Sequence, residues 1–124
     1  MKKFGKILFC LMVVVLLSSG YALADKSAVT INAPESAAKG TEVTVKLNVA
    51  HSGNNMFHYT KWVYIKVNGK EIARWDFSAT KTPELENFTK EVKFTVTEPA
   101  QIEAEASCNI HGSAGIAKAV IALK

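Results

Sequence analysis

Residues 59–77 read Tyr-Thr-Lys-Trp-Val-Tyr-Ile-Lys-Val-Asn-Gly-Lys-Glu-Ile-Ala-Arg-Trp-Asp-Phe. Val63, Ile65 and Val67 recur at every second position, the period of a strand with one buried face. Asn68-Gly69 follows at once, and Ile72 to Phe77 is a second β-like run. Asn-Gly between two such runs is the strongest short-range signal for a hairpin. Upstream, Thr41 to Val49 alternates cleanly. Val43, Val45, Leu47 and Val49 share one face, while Thr44, Lys46 and Asn48 share the other. Val29 to Asn32, Phe88 to Val96, Ile102 to Ala106 and Ile116 to Leu123 are further β-rich runs. Ala33-Pro34, Lys39-Gly40, a polar stretch around Pro83, and Glu98-Pro99 separate them. No stretch after the N-terminal segment has helical periodicity. Seven short strands at regular turn spacing predict an all-β domain, a seven-stranded immunoglobulin-like antiparallel β-sandwich. The paired cysteines of antibody domains are missing from it.

The first 24 residues have a different character. Lys2, Lys3 and Lys6 precede an uncharged apolar run, Ile7 to Leu17, and Ala22-Leu23-Ala24 supplies small residues for a peptidase. The run is shorter than the ~20 residues that span a bilayer, so residues 1–24 read as a cleaved secretory signal peptide. No twin-arginine pair precedes it, which points to Sec-type export to the periplasm or another exported location. Residues 25–124 then form one domain, with no membrane segment after signal cleavage. They carry 12 basic and 11 acidic residues, so the basicity of the whole chain belongs to the signal. Net charge makes no case for nucleic-acid binding.

Cysteine usage sharpens this. Cys10 lies inside the signal, so Cys108 is the only thiol of residues 25–124. Exported proteins usually pair their cysteines, and metal ligation is one reason to keep a single thiol. Cys108-Asn109-Ile110-His111-Gly112 puts a thiolate and an imidazole within reach of one metal, with Gly112 relieving the turn after the second ligand. The chain has three histidines, and the other two, His51 and His58, bound one loop. That loop follows the second predicted strand and the Cys108 turn follows the sixth, so both are expected at one end of a Greek-key sandwich. Clustered soft and borderline donors point to a metal site of His51, His58, Cys108 and His111. On donor chemistry alone zinc or copper would suit it as well as iron.

Cys-Asn-Ile-His-Gly resembles the signature of the superoxide reductase family, which includes neelaredoxin and the iron-binding domain of desulfoferrodoxin. His58-Tyr59-Thr60-Lys61-Trp62-Val63 is similar to that family's His-Tyr-Ile-x-Trp-Ile run, and His51 to its preceding loop ligand. The hairpin and the Ala73-Arg74…Phe77 run fit the same pattern. The resemblance covers Lys39 to Gly112. It implies a mononuclear non-haem iron with Cys108 as axial thiolate, and His51, His58 and His111 as equatorial ligands. It also implies that Cys108 and His111 serve catalysis, in which superoxide or another small oxidant is reduced with electrons from a donor redox protein.

One departure stands out. The family's Glu-Lys-His stretch, which supplies a fourth histidine and a lysine, has Asn32 to Gly40 as its expected counterpart, and no histidine is there. Water, Glu35 or Met56 are then candidates for the fourth position, which can also stay empty at a lower coordination number; Met56 is a candidate for an apolar plug beside Phe57 as well, and Lys39 for an anion guide. The loop between His51 and His58 is one residue longer than in the family, which predicts a looser hold on His51 than on His111. Two functions follow: an exported superoxide reductase, or a non-catalytic metal-binding or electron-transfer module with a degenerate site. The four-ligand set argues against a sandwich that has lost its metal.

Overall fold

The computed structural model describes residues 26–124, so the expected signal segment, residues 1–24, lies outside the described residues. All regular structure described is β. The strands are β1 (Ala28–Asn32), β2 (Ser36–Ala37), β3 (Thr41–Ala50), β4 (Thr60–Val67), β5 (Lys70–Asp76), β6 (Asn87–Val96), β7 (Ala100–Cys108) and β8 (Ala117–Leu123). β1-β3-β6 form one sheet and β2-β8-β7-β4-β5 the other. The seven expected strands are all present. β2 is an eighth, too short for any periodicity, and its parallel pairing with β8 is the exception in an otherwise antiparallel sandwich.

Alternation explains the layering. On β3, Val43, Val45, Leu47 and Val49 are buried while their neighbours face solvent. They meet Val63 and Ile65 of β4, Ile102, Ala104 and Ala106 of β7, and Ile121 of β8 in one core. Burying each large aliphatic side chain contributes roughly 1.5–3 kcal/mol. The Asn68-Gly69 hairpin is as expected: both residues have positive φ, 50° and 82°, as a tight two-residue turn requires. Asn68 also receives the Gln101 backbone N–H on Oδ1, fixing the hairpin to β7.

The outer face of the larger sheet is polar and aromatic. Trp62 stacks on Tyr64, and Arg74 lies over Trp62 while pairing with Glu71 and Asp76. Tyr64 donates to Glu105, and burial with that acidic neighbour pushes its phenol up to about 12. Trp62 is therefore part of the solvated hairpin face, and Trp75 packs against the core margin.

Candidate metal centre

The strand phase that builds the core also aims two of the candidate ligands. His51 continues the inward positions Val43, Val45, Leu47 and Val49 one step past the end of β3, and it is only 3% exposed. Cys108 is the last inward position of β7, after Ile102, Ala104 and Ala106, and is 1% exposed. β7 thus runs two residues beyond its expected end, and the thiol sits on the strand rather than in the loop. β4 needs a correction to do the same. Its inward residues Val63 and Ile65 are odd-numbered, whereas His58 and the buried Thr60 are even. A bulge makes the change: Thr60 pairs with Cys108 and Trp62 with Ser107, leaving Lys61 as the extra residue. The bulge reverses the facing of everything before it, and His58 turns toward the sandwich end.

Asparagines hold the loops. Asn55 Oδ1 accepts the backbone N–H groups of Phe57 and His58. Asn109 joins the two ligand loops: its Oδ1 accepts the Tyr59 N–H and its Nδ2 donates to the Phe57 carbonyl. The Cys turn closes through Cys108 N–H to the Gly112 carbonyl (2.9 Å) and Gly112 N–H to the Cys108 carbonyl (3.2 Å), with Gly112 at φ 78°. The Ile110 N–H points at Cys108 Sγ from 3.4 Å.

The result is a convergent set. His58 Nε2 lies 3.1 Å from His51 Nε2 and 3.1 Å from His111 Nδ1, and Cys108 Sγ lies 4.0 Å from His111 Nδ1. The donor atoms of His51, His58 and Cys108 all lie within 4.8 Å of one another. His111 stands at the solvent side of this trio and is exposed. Nitrogens that flank one metal at about 2.1 Å are themselves about 3 Å apart. A proton on His58 Nε2 can point at one neighbour only, and a bare His58 Nε2 offers its own lone pair, so lone pairs face this space in either tautomer. A cation satisfies them all, and the mixture of imidazole and thiolate donors suits iron, zinc or copper. Burial lowers the pKa of His51, partly offset by its bond to Asn54, and the neighbouring His58 and His111 lower it further. The imidazole is therefore held neutral, the form that binds metal.

Several expectations about the surroundings fail. β3 is ten residues long and rises roughly 33 Å between the Lys39-Gly40 turn and His51. Gly40 donates to Val96 and Ala122 donates to Glu35, both at the far end of the sandwich. Glu35 and Lys39 are consequently remote from the site and can neither ligate nor guide. Met56 and Phe57 are 58% and 76% exposed, so they form no plug. The longer loop does not loosen His51, which is more buried than His111 and is bonded at Nδ1 to Asn54. What does lie beside the Cys turn is Ser27, whose N–H donates to the Gly112 carbonyl and whose carbonyl accepts from Ala114. Its side chain is fully buried and hydrogen-bonded to Thr60 Oγ1 at 2.8 Å. Lys26, immediately before it, is exposed. The sequence offers no motif for these supports, because Asn, Ser and Thr in loops ordinarily mark turns.

Comparison with known proteins agrees with this architecture. Superoxide reductase (neelaredoxin) from Ignicoccus hospitalis superposes with a TM-score of 0.61 at 19% identity, covering 80% of this chain and 82% of that one. The reduced form of the Archaeoglobus fulgidus neelaredoxin gives 0.56 at 20% identity, covering 77% and 89%. The CARDB domain of a Pyrococcus furiosus protein, in complex with di-metal ions, gives 0.60 at 15% identity, covering 79% and 87%. At these identities the likeness is one of fold. No curated protein matches the chain by sequence. A sequence profile of the desulfoferrodoxin family, however, matches residues 20–114. That match spans well over half of the chain and takes in both ligand loops, and the chain accordingly belongs to the desulfoferrodoxin family.

Proposed function

We propose that this is an exported mononuclear non-haem iron protein that reduces superoxide to hydrogen peroxide. The observation that carries the reading is the convergence of three imidazole nitrogens and one thiolate sulfur at one end of the sandwich, in a member of this family. His51, His58, His111 and Cys108 would hold the iron. Bound iron supplies one-electron chemistry, cycling between ferrous and ferric forms. Each turnover takes one superoxide, one electron and two protons to one peroxide, so a one-electron donor protein must resupply the site.

The remaining roles fall to the chain. Burial of Cys108 and His51 keeps bulk water from the inner side of the site. The exposed His111 leaves the outer side open to a small anion. Ser27 hydrogen-bonds to the Cys108 turn, and on that ground Lys26-Ser27 would be the counterpart of the family's Lys-His pair, with Ser27 standing for the histidine and Lys26 for the lysine. An exposed lysine beside an open site attracts an anionic substrate. Export rests on the signal pattern of residues 1–24, and an intact mass beginning at Asp25 in an exported fraction would test it.

A second reading is favoured by the missing fourth histidine: a metal-binding or electron-transfer module without turnover, in which zinc or copper could replace iron. Anaerobic loading of residues 25–124 with ferrous iron, followed by oxidation, separates the two. One iron per chain with a thiolate-to-ferric charge-transfer band, and rapid re-oxidation by superoxide, supports the reductase. Preference for zinc or copper, or an iron form indifferent to superoxide, supports the module.

A further inference from the structure

Asn54 belongs to the loop between His51 and His58, is half-buried, and spends its side-chain amide on partners in and beyond that loop. Its Oδ1 lies 2.9 Å from the Thr60 backbone N–H and 3.0 Å from His51 Nδ1, and its Nδ2 lies 2.7 Å from the Leu85 carbonyl. The orientation of the amide is thereby decided. Turning it over would set its NH2 group against the Thr60 N–H and its oxygen against the Leu85 carbonyl, so both contacts would become repulsive. The atom facing His51 is an oxygen, which can only accept. His51 must therefore carry its proton on Nδ1, and the lone pair is left on Nε2, the nitrogen that faces His58 at 3.1 Å. Thr60 and Leu85 lie in β4 and in the β5–β6 connection, so the amide is anchored at its oxygen and its nitrogen by elements outside the loop.

We infer that Asn54 is the positioning residue of the metal centre, holding His51 in the tautomer that presents Nε2 as a donor. The inference deepens the proposed metal site and rests on His51 being one of its ligands. Partners that fix the tautomer of a ligating histidine raise its basicity, and losing them typically lowers metal affinity 10–100-fold.

The test combines a metal-free and a metal-bound readout. Histidine ring 15N shifts of the metal-free protein above pH 8 should show His51 protonated on Nδ1 and bare on Nε2. In Asn54→Ala the two shifts should move toward each other as both tautomers are populated, and affinity for zinc and for ferrous iron should fall about 10–100-fold. Asn54→Asp keeps the acceptor toward His51 and Thr60 but sets its second oxygen against the Leu85 carbonyl, so it should restore the Nδ1–H tautomer and part of the affinity. A proton found on Nε2 of the wild-type protein overturns the inference. So does an Ala variant with unchanged shifts, or an Asp variant that keeps the tautomer without recovering affinity. If the Ala variant does not fold, the wild-type and Asp spectra still decide. Failure to bind iron or to reduce superoxide would overturn the proposed function and leave the tautomer result standing.

Discussion

Cys108 is both the end of a core strand and the proposed sulfur ligand, and the two roles make different demands on a substitution. Alanine fills the inward position at the end of β7 without a polar group to satisfy, so Cys108→Ala should lower stability by only about 1 kcal/mol. It should abolish the thiolate-to-ferric band entirely, and circular dichroism with visible absorption reads both effects. Between the histidines, His51 is buried and bonded to Asn54, while His111 is exposed. His51→Ala should therefore weaken zinc binding about tenfold more than His111→Ala, measured by competition with a chromophoric chelator. Lys26→Ala should slow re-oxidation by superoxide roughly threefold at low ionic strength and flatten its salt dependence, as seen by pulse radiolysis. At this scale the sequence was legible where residues are rare. One thiol and three histidines in two loops announce a site. Asn54, Asn109 and Ser27 were not legible, because each residue type has a common use in turns that its neighbours in sequence do not contradict.

The strands themselves were readable from alternation, since a period of two admits few other interpretations. What alternation cannot show is a single residue that breaks it. Lys61 reads as one more outward position on β4, yet it is the bulge that turns His58 inward. Deleting Lys61 should restore a regular β4–β7 ladder and rotate His58 to the opposite face. The expected outcome is a protein with unchanged far-ultraviolet dichroism and at least a hundredfold loss of metal affinity. The misplacement of Asn32 to Gly40 has a related cause. Counting from the resemblance put that stretch near the metal, but β3 carries the chain the full length of the sandwich between it and His51. β2 escaped because two residues carry no period.

Across the molecule, His51 comes from the end of β3 in the smaller sheet, while His58, Cys108 and His111 come from the ends of β4 and β7 in the larger one. In the metal-free protein, burial and the two neighbouring imidazoles depress His51, so the unfolded chain binds its proton more readily than the folded one. The stability this group contributes is therefore fully present above its ordinary value of 6.5 and is lost as pH falls through its lower folded value. Chemical denaturation of the metal-free protein from pH 8 to pH 5 should show that decline, and His51→Gln should flatten it. A metal held by side chains from both sheets would also act as a rivet through the open end of the sandwich. Parting of the sheets would withdraw His51 from the other donors, so the rate at which a chelator strips the bound ion would carry a contribution from how often the two sheets breathe. Metal exchange would then serve as a clock for a motion of the backbone that no spectroscopic signal of the site reports directly.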